Sequence, residues 1–369
     1  IHMGTALNKI LKDIIMKYKY AQGFDTPYVP GWDTHGMPIE HAAIKNLGLN
    51  RHELDTLVLR KECHDYALKW IDEQRTDFKR LGVLGDWDHP YITMTHDYEA
   101  VQIHVFGEMA KKGYIYKGKK AVYWCPHCET ALAEAEIEYG EEKSPAIFVK
   151  MPLVKDNGML PEAAQGKPAY IVIWTTTPWT LPSNVALCVN PNETYVKVKN
   201  GDYTYYLAEA LCDTVLEGEY TVLESYKGKD LEYKEYEPLF DCAVAICEKQ
   251  KKKAFYVVCD TYVTLTDGTG IVHIAPAFGE DDSKVGRKYD LPFVQLVDAK
   301  GEMTKETPWE GVFVKKADPL VLKALDEKGL LFSAPNFEHS YPHCWRCDTP
   351  LIYYARESWF IKMTAVKDD

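Results

Sequence analysis

The sequence predicts an α/β protein whose helical first block is followed by a long β-rich insertion. Residues 1–120 alternate helical patterns with short strands, which is typical of α/β layers. Residues 146–300 break into short apolar runs separated by turn residues, a pattern that indicates a closed or nearly closed β-barrel. Two Cys-x-x-Cys pairs flank that region and indicate where it leaves and rejoins the first block.

Size, charge and hydropathy narrow the class of protein. The chain has 369 residues, 46% of them hydrophobic, which is enough for two buried cores. A formal net charge of −12 argues against non-specific nucleic-acid binding, but it leaves open a nucleic-acid substrate held at one local surface. The chain has neither a run of about 20 apolar residues nor a basic-then-apolar opening segment. We therefore expect a cytoplasmic monomer with no membrane partner.

The helices of the first block follow from the spacing of apolar residues. Leu7 to Tyr18 carry apolar side chains at helical intervals, which predicts a helix that begins near Thr5 and ends near Gly23. Residues 24–36 indicate a strand that runs into a loop, and residues 52–80 and 97–113 are again helical in pattern.

The β-rich insertion contains eight candidate strands and one helix. The helix is predicted over residues 317–331, with Gly329 near its end. The candidate strands are AIFVKM, AYIVIW, VALCV, TYVKV, DYTYYLA, KAFYVV, GIVHIA and FVQLV.

Four of the ten cysteines are organised as a pair of knuckles. Cys125 and Cys128 form one pair, and Cys344 and Cys347 form the other. Four thiolates are the ligand set of one closed, structural Zn²⁺ site, whereas a redox motif would need a thioredoxin-like context. Such a site would clamp the stem of everything between the two pairs.

Three polar stretches are candidate sites, and each has an ordinary structural alternative. HMGT (2–5) at a helix start could bind phosphate, and GWDTHGMPIE (31–40) could be a ligand loop or a tight turn with a capping Asp. WTTTPWT (174–180) could bind substrate or form an edge strand with threonine pairs. In HIAPAFGEDD (273–282), His273 could be a satisfied core histidine and the acidic end a favourable helix N-terminus.

Taken together and in order, these stretches resemble the isoleucyl-tRNA synthetases over essentially the whole chain. The resemblance implies half of a Rossmann-type nucleotide-binding domain, interrupted by an inserted β-barrel-like editing domain with a zinc knuckle at its neck. The implied divisions are 1–118 for the first Rossmann half, 119–140 and 336–355 for the neck, 141–335 for the editing domain, and 356–369 for the return. The matching stretches are HMGT with ALNKILKD, GWDTHGMPIE, WCPHCETALAEAEIEY, WTTTPWTLPSN, GTGIVHIAPAFGEDD, and the second cysteine pair with ARESWF.

The resemblance also implies the reaction and the partners. A whole enzyme of this family activates isoleucine with ATP and Mg²⁺, joins it to the tRNA for isoleucine, and hydrolyses valine attached in error. One missing methylene is worth only about 1–3 kcal/mol, so a single pocket discriminates poorly. The family's second ATP signature, a lysine-rich loop, does not occur in this sequence. We therefore expect a fragment that edits but does not form aminoacyl-adenylate.

Site residues are carried over position by position. His2, Gly4 and Thr5 match the ATP signature, although Thr5 stands where the family has a second histidine. Asp33 matches the residue that holds the amino group of isoleucine, and Asp282 the residue that grips the ammonium of the ester to be hydrolysed. The remaining implied editing residues are Trp174, Thr175, Thr176, Thr177, Thr180, Asn184 and His273.

Two other functions remain open at this point. The chain could be a module that binds the acceptor end of tRNA without hydrolysing anything. It could also be a free-standing metal-dependent hydrolase, but that would need an open metal position, which four thiolates do not leave.

Overall fold

The computed structural model describes residues 1–48, 54–155 and 169–367. The chain divides into two compact units. Unit 1 is Ile1–Tyr116 together with the segment from Phe360, and unit 2 is Lys117–Trp359. None of the described helices is both long and apolar enough to cross a membrane.

The described part of unit 1 contains four α-helices, a 3₁₀ helix at Met363–Ala365 and two short strands, β1 and β2, which pair in parallel. Phe78 and Trp87 stack at 5.7 Å between ring centroids in its core. The elements are α1 (Met3–Ala21), β1 (Gly31–Trp32), α2 (Met37–Leu47), α3 (Thr56–Arg80), β2 (Tyr91–Ile92) and α4 (His96–Lys111).

The predicted helices of the first block are confirmed within a few residues. The helix predicted over 52–80 begins at Thr56, because the Asp55 carboxylate accepts the Leu57 N–H at 2.9 Å and caps it. Residues 52 and 53 lie outside the described part of the chain. The strand expected within residues 24–36 is reduced to Gly31–Trp32, directly after Pro30.

Unit 2 is built around ten strands of one mixed sheet. Their order is β11-β9-β10-β7-β6-β12-β13-β8-β14, with β15 also paired to β6. The strands from β3 to β10 are Ile115–Cys125, Thr130–Ala131, Ile137–Pro145, Ile147–Lys155, Ala169–Thr175, Ala186–Val189, Thr194–Asn200 and Tyr203–Ala208. The strands from β11 to β17 are Tyr220–Lys227, Glu235–Tyr236, Tyr256–Cys259, Ile271–Ile274, Leu331–Ser333, Asn336–Cys344 and Ile352–Ile361.

Two features of this sheet position the candidate site. Strands β7 and β14 are not hydrogen-bonded neighbours, yet they pack against each other. A 3₁₀ helix, Pro178–Ser183, follows β7 and is fully buried.

The α-helices of unit 2 are α5 (Cys212–Val215), α6 (Val244–Gln250), α7 (Glu280–Lys288) and α8 (Val314–Glu327).

The stem of unit 2 consists of two small sheets. Strands β5 and β16 pair antiparallel from Asn336↔Pro145 to Cys344↔Ile137. Strands β17, β3 and β4 form the second sheet in that order. The chain therefore leaves and rejoins unit 1 within β3 and β17.

The structure corrects two sequence predictions in unit 2. FVQLV (293–297) forms no strand, apart from one isolated bridge between Val297 and Met303. The Gln250 side chain instead accepts the Phe293 N–H at 2.9 Å and donates to the Phe293 carbonyl at 2.7 Å, which supplies the bonds that a neighbouring strand would give. The helix predicted over 317–331 spans Val314–Glu327, and Gly329 follows it in the left-handed conformation at φ 66°.

Candidate active site

Three threonine hydroxyls form a chain at the end of β7. This strand is mostly buried and apolar up to Trp174, and Pro178 then starts the 3₁₀ helix that carries Thr180. Oγ1 of Thr177 lies 3.3 Å from Oγ1 of Thr175 and 3.3 Å from Oγ1 of Thr180. The Thr175 hydroxyl also accepts the Thr177 N–H at 3.1 Å. The three hydroxyls thus act as hydrogen-bond partners for one another at the end of β7.

His273 ends this chain of hydroxyls. It lies on β14, is 7% exposed, and its Nε2 is 3.0 Å from Oγ1 of Thr180. Thr180 already donates its hydroxyl proton to the Thr177 carbonyl at 2.7 Å. Nε2 must therefore carry the proton and donate to Thr180.

The other ring nitrogen of His273 is a bare acceptor. Burial lowers the pKa of His273 to about 4, so the ring is neutral at pH 7 and Nδ1 has a lone pair. Nδ1 is buried and has no hydrogen-bond partner in the part of the chain that the structure describes. A buried acceptor without a partner points to a ligand or water that donates to it.

The Asn184 side chain is hydrogen-bonded to residues of β8 and β12. Its Nδ2 donates to the Ala186 carbonyl at 2.8 Å, and its Oδ1 accepts the Tyr236 hydroxyl at 2.6 Å. The next residue, Val185, donates its N–H to the Ile274 carbonyl at 2.9 Å, beside His273. Asn184 therefore has a structural part in the site, with its amide committed to protein groups.

Asp282 lies in the first turn of α7, shortly after β14. Its Oδ2 accepts the Ala275 N–H at 2.9 Å, and the carboxylate sits so close to Gly279 that a Cβ there would meet its Cγ at 2.8 Å. Loss of water around the carboxyl raises the pKa of Asp282 to about 7, against the opposing hydrogen bond from Ala275 and with a further rise from Asp281. A bound cation would stabilise the ionised form of this desolvated carboxyl.

The two remaining predicted editing residues differ in their surroundings. Trp174 is partly buried and packs edge-on against Phe337 at 5.9 Å between ring centroids. It also lies against Gly268, where a Cβ would meet the Trp174 Cβ at 2.9 Å. Thr176 is partly exposed and takes no part in the hydroxyl chain made by its neighbours.

Sequence reasoning missed one buried acid next to these residues. Asp318 on α8 is 4% exposed, and its Oδ1 accepts the Trp179 N–H at 3.0 Å. The signal was present in the sequence, because Asp318 falls among the apolar positions Ala317, Val321 and Leu325, which form the buried face of an amphipathic helix.

The predicted nucleotide residues lie in unit 1. His2 is the N-cap of α1, where its Nδ1 accepts the N–H of Gly4 at 3.1 Å and of Thr5 at 3.4 Å. The imidazole thus occupies the helix N–H groups that the sequence offered to a phosphate. Asp33 is exposed, and the loop that follows it lines a cavity of about 680 Å³ with Thr34, His35 and Gly36 on its wall.

The four predicted cysteines converge in unit 2. Their sulfurs all lie within 4.8 Å of one another, with Cys347 Sγ 3.5 Å from both Cys125 Sγ and Cys128 Sγ. Tetrahedral Zn–S bonds of about 2.3 Å would separate the sulfurs by about 3.8 Å, so the cluster fits one metal ion. None of the four forms a disulfide.

The two knuckles have matching backbones. The residue after each pair, Glu129 at φ 50° and Asp348 at φ 59°, turns the chain through the left-handed region. In the first knuckle the Cys128 N–H donates to Cys125 Sγ at 3.3 Å. Such amide bonds stabilise thiolates and are a property of metal knuckles.

Comparison with known proteins links the whole chain to one family. The family profile for tRNA synthetases class I (I, L, M and V) matches residues 1–369. Isoleucine–tRNA ligase from Syntrophomonas wolfei is 47% identical over 376 residues, and the same enzyme from Moorella thermoacetica is 48% identical over 374 residues. Each alignment covers 100% of this chain and 39% of the relative, so the chain spans 39% of the length of these relatives.

Two solved structures match part of the chain at low identity. GlLeuRS-CP1 covers 54% of this chain and 99% of its own, with 16% identity and a TM-score of 0.41. The editing domain of the P. knowlesi cytosolic leucyl-tRNA synthetase covers 52% of this chain and 96% of its own, with 14% identity and a TM-score of 0.39.

Proposed function

Because the chain belongs to the class I tRNA synthetases for I, L, M and V, we propose that it is a part of an isoleucine–tRNA ligase. The support for isoleucine is the 47–48% identity to isoleucine–tRNA ligases along the full chain. The whole enzyme would join isoleucine to its tRNA at the expense of ATP with Mg²⁺, in the cytoplasm and as a monomer. His2, Gly4 and Thr5 would contribute to ATP binding, and Asp33 would hold the amino group of isoleucine.

Unit 2 would carry a second, hydrolytic activity that removes valine from mischarged tRNA. The observation that carries this proposal is the chain of hydroxyls from Thr175 to Thr180, which ends at a neutral, buried His273. Asp282 follows His273 by nine positions, and its carboxylate accepts the N–H of Ala275, the first residue after β14. Ester hydrolysis needs a fixed ammonium, an aligned water and donors for the oxyanion, and these groups are of the right types.

Each side chain has a proposed part in the step. Asp282 would bind the ammonium of the aminoacyl group, and the bound cation would lower the pKa of the carboxyl and keep it ionised. The Thr175 and Thr177 hydroxyls, with that of Thr176, would orient the ester oxygens and the attacking water. His273 would accept a hydrogen bond at Nδ1 from the terminal adenosine or from water, since Nε2 is engaged by Thr180. No side chain of this unit is assigned as general base, and a ribose hydroxyl of the terminal adenosine would help the threonines to position the water.

The preference for the valyl over the isoleucyl ester would come from the limited size of the hydrolytic pocket. Threonine methyl groups and the wall formed by Trp174 would leave too little room for the extra methylene of isoleucine. A steric sieve of this kind supplements a first pocket in which one methylene is worth about 1–3 kcal/mol.

The fold around this site would be a barrel-like editing domain on a zinc-bound stem. The packing of β14 against β7 supports a sheet that curls back on itself. Cys125, Cys128, Cys344 and Cys347 would hold one structural Zn²⁺, whose chemistry is to fix the two knuckles together. The proposed limits are 141–335 for the editing domain and 119–140 with 336–355 for the neck, between a Rossmann half at 1–118 and a returning segment at 356–369.

Hydrolysis of valyl-tRNA for isoleucine by this chain tests the proposal. We expect loss of the valyl ester, little loss of the isoleucyl ester, and no valyl hydrolysis by an Asp282→Ala variant. Asp281→Ala is the matched control, because Asp281 is exposed on the same turn and pairs with Lys284 at 3.0 Å. Binding of the tRNA without hydrolysis, by folded wild-type chain at saturating tRNA, would favour an acceptor-end binding module instead.

A further inference from the structure

Asp318, on α8, caps the N-terminus of a different helix, the 3₁₀ helix Pro178–Ser183. Trp179 is the second residue of the 3₁₀ helix Pro178–Ser183, and Pro178 has no N–H, so the Trp179 N–H is the first donor of that helix. The side chain of Thr177, at the N-cap, makes no capping hydrogen bond to a backbone N–H of the helix. The Asp318 carboxylate, 139 positions away in the sequence, accepts this N–H at 3.0 Å in a buried environment.

The orientation of this 3₁₀ helix determines the geometry at His273. Thr180 follows Trp179 directly. Its N–H (3.0 Å) and its hydroxyl (2.7 Å) both donate hydrogen bonds to the Thr177 carbonyl. A tilt of the helix would therefore move Thr180 Oγ1 away from Nε2 of His273, which lies only 3.0 Å away.

The Trp179 ring extends the same anchor to the other half of the site. It packs edge-on against Phe278 at 5.1 Å between ring centroids. Phe278 lies in the turn between β14 and α7, and α7 is the helix that carries Asp282. Trp179, whose backbone is held by Asp318, thus lies in the segment that carries Thr180 and contacts the segment that leads to Asp282.

The titratable groups that face Asp318 come from three elements. Lys315 belongs to α8 itself, Glu142 to β5 and Tyr341 to β16. Lys315 Nζ lies 3.4 Å from Oε1 of Glu142 and 3.9 Å from the centre of the Tyr341 ring. The lysine is therefore shared with a second carboxylate, and Asp318 retains an acceptor oxygen for Trp179 whether or not it is ionised.

We propose that Asp318 is a positioning residue for the proposed ester hydrolysis, because it fixes the 3₁₀ helix that presents Thr180 to His273. The inference rests on the proposed function of unit 2. It assigns to Asp318 an acceptor role that an asparagine can replace and a leucine of similar size cannot.

Kinetics of valyl-tRNA hydrolysis separate these substitutions. In the full chain, we expect Asp318→Asn to keep kcat and KM within about threefold of wild type, and Asp318→Leu to lower kcat about tenfold or more with KM nearly unchanged. Asp326→Leu, an exposed acid on the same helix, is the control and should behave as wild type. A folded Asp318→Leu with normal kcat, or an Asp318→Asn as slow as Asp318→Leu, would overturn the proposal.

Hydrogen–deuterium exchange of the peptide that covers residues 174–184 gives a second readout that needs no hydrolysis. We expect faster exchange in Asp318→Leu and wild-type exchange in Asp318→Asn. Unchanged exchange in Asp318→Leu would count against the anchor even if the wild-type chain were inactive, whereas an inactive wild type with the expected exchange would count against the hydrolytic function alone. If Asp318→Leu does not fold, loss of activity or faster exchange in a folded Asp318→Asn still overturns the inference.

Discussion

Oγ1 of Thr180 lies 3.0 Å from Nε2 of His273, although the two residues are 93 positions apart in the sequence. Because Thr180 gives its own proton to the Thr177 carbonyl, this contact fixes the proton of the imidazole on Nε2. It therefore makes Nδ1 the nitrogen that is available to a ligand. The chemistry of the proposed site depends on this one hydroxyl.

Removal of the Thr180 hydroxyl should harm both stability and hydrolysis. Thr180→Val keeps the shape of the side chain but leaves the Thr177 carbonyl and the His273 Nε2–H without that partner. We expect a loss of about 1–3 kcal/mol in the free energy of unfolding, and hydrolysis of the valyl ester slowed about tenfold or more. Thr180→Ser keeps the hydroxyl and is the matched control. Equal activity of the two variants in deacylation assays would contradict the role of the hydroxyl.

Hydrolysis should require ionised Asp282. Burial raises the pKa of Asp282 to about 7, so the free protein loses this carboxylate as the pH falls through that value. We expect kcat/KM to fall about tenfold per pH unit below about pH 7. His273 should add no inflection above about pH 5, since burial lowers its pKa to about 4. A profile that stays flat between about pH 5.5 and 8 would exclude Asp282 as the cation anchor.

The buried carboxyl of Asp318 should make unit 2 less stable as the pH rises. Burial raises the pKa of Asp318 to about 7, with Glu142 adding to the rise and the Trp179 N–H and Lys315 opposing it. Between about pH 4 and 7 the folded state holds this proton more tightly than the unfolded state, so stability falls with increasing pH. Asp318→Asn cannot ionise, and we expect its advantage over wild type to grow by about 2–4 kcal/mol over that range.

Denaturant-dependent hydrogen exchange of the strands of unit 2, at about pH 5 and about pH 8, measures this difference. Asp326→Asn on the same helix is the control, because it removes an exposed carboxyl and not a buried one. An advantage of Asp318→Asn that is the same at both pH values would contradict the proposed linkage.

Metal analysis should find about one zinc ion per chain, because four cysteines make one closed site. Cys344→Ser removes one ligand and should lower both the zinc content and the melting temperature. Cys63→Ser, which replaces a cysteine of unit 1 that does not belong to the cluster, should retain the metal. Folded wild-type chain without metal, even after exposure to Zn²⁺, would contradict the assignment of the knuckles.

The local elements of the fold were predictable because their determinants are local. Apolar spacing predicts α1, and the matched spacing of the two Cys-x-x-Cys pairs predicts the cluster. The strand predicted at FVQLV is wrong because a side chain, Gln250, satisfies the backbone of Phe293. No pattern within residues 293–297 could reveal a partner that lies 43 positions earlier.

The candidate site was predictable in its residue types but not in its arrangement. The sequence suggests Thr180 and His273 separately, whereas their contact depends on β14 folding over β7. The donor and the acceptor of that contact follow from the Thr177 carbonyl, which only the folded chain brings into reach. The burial of Asp318 could be inferred from the apolar face of its helix, but its role could not, because its partner is a backbone N–H 139 positions away.

The cysteine cluster joins Cys128 to Cys347 across 219 positions. A ribosome that adds about 5–20 residues per second takes about 10–40 s to synthesise that stretch. During this time the first knuckle exists with only two of the four thiolates of the proposed zinc site, and two exposed thiols are open to oxidation. The four-cysteine cluster of the stem can therefore be completed only near the end of the synthesis of unit 2, and under the proposed assignment its closure would depend on reduced thiols and zinc at that moment.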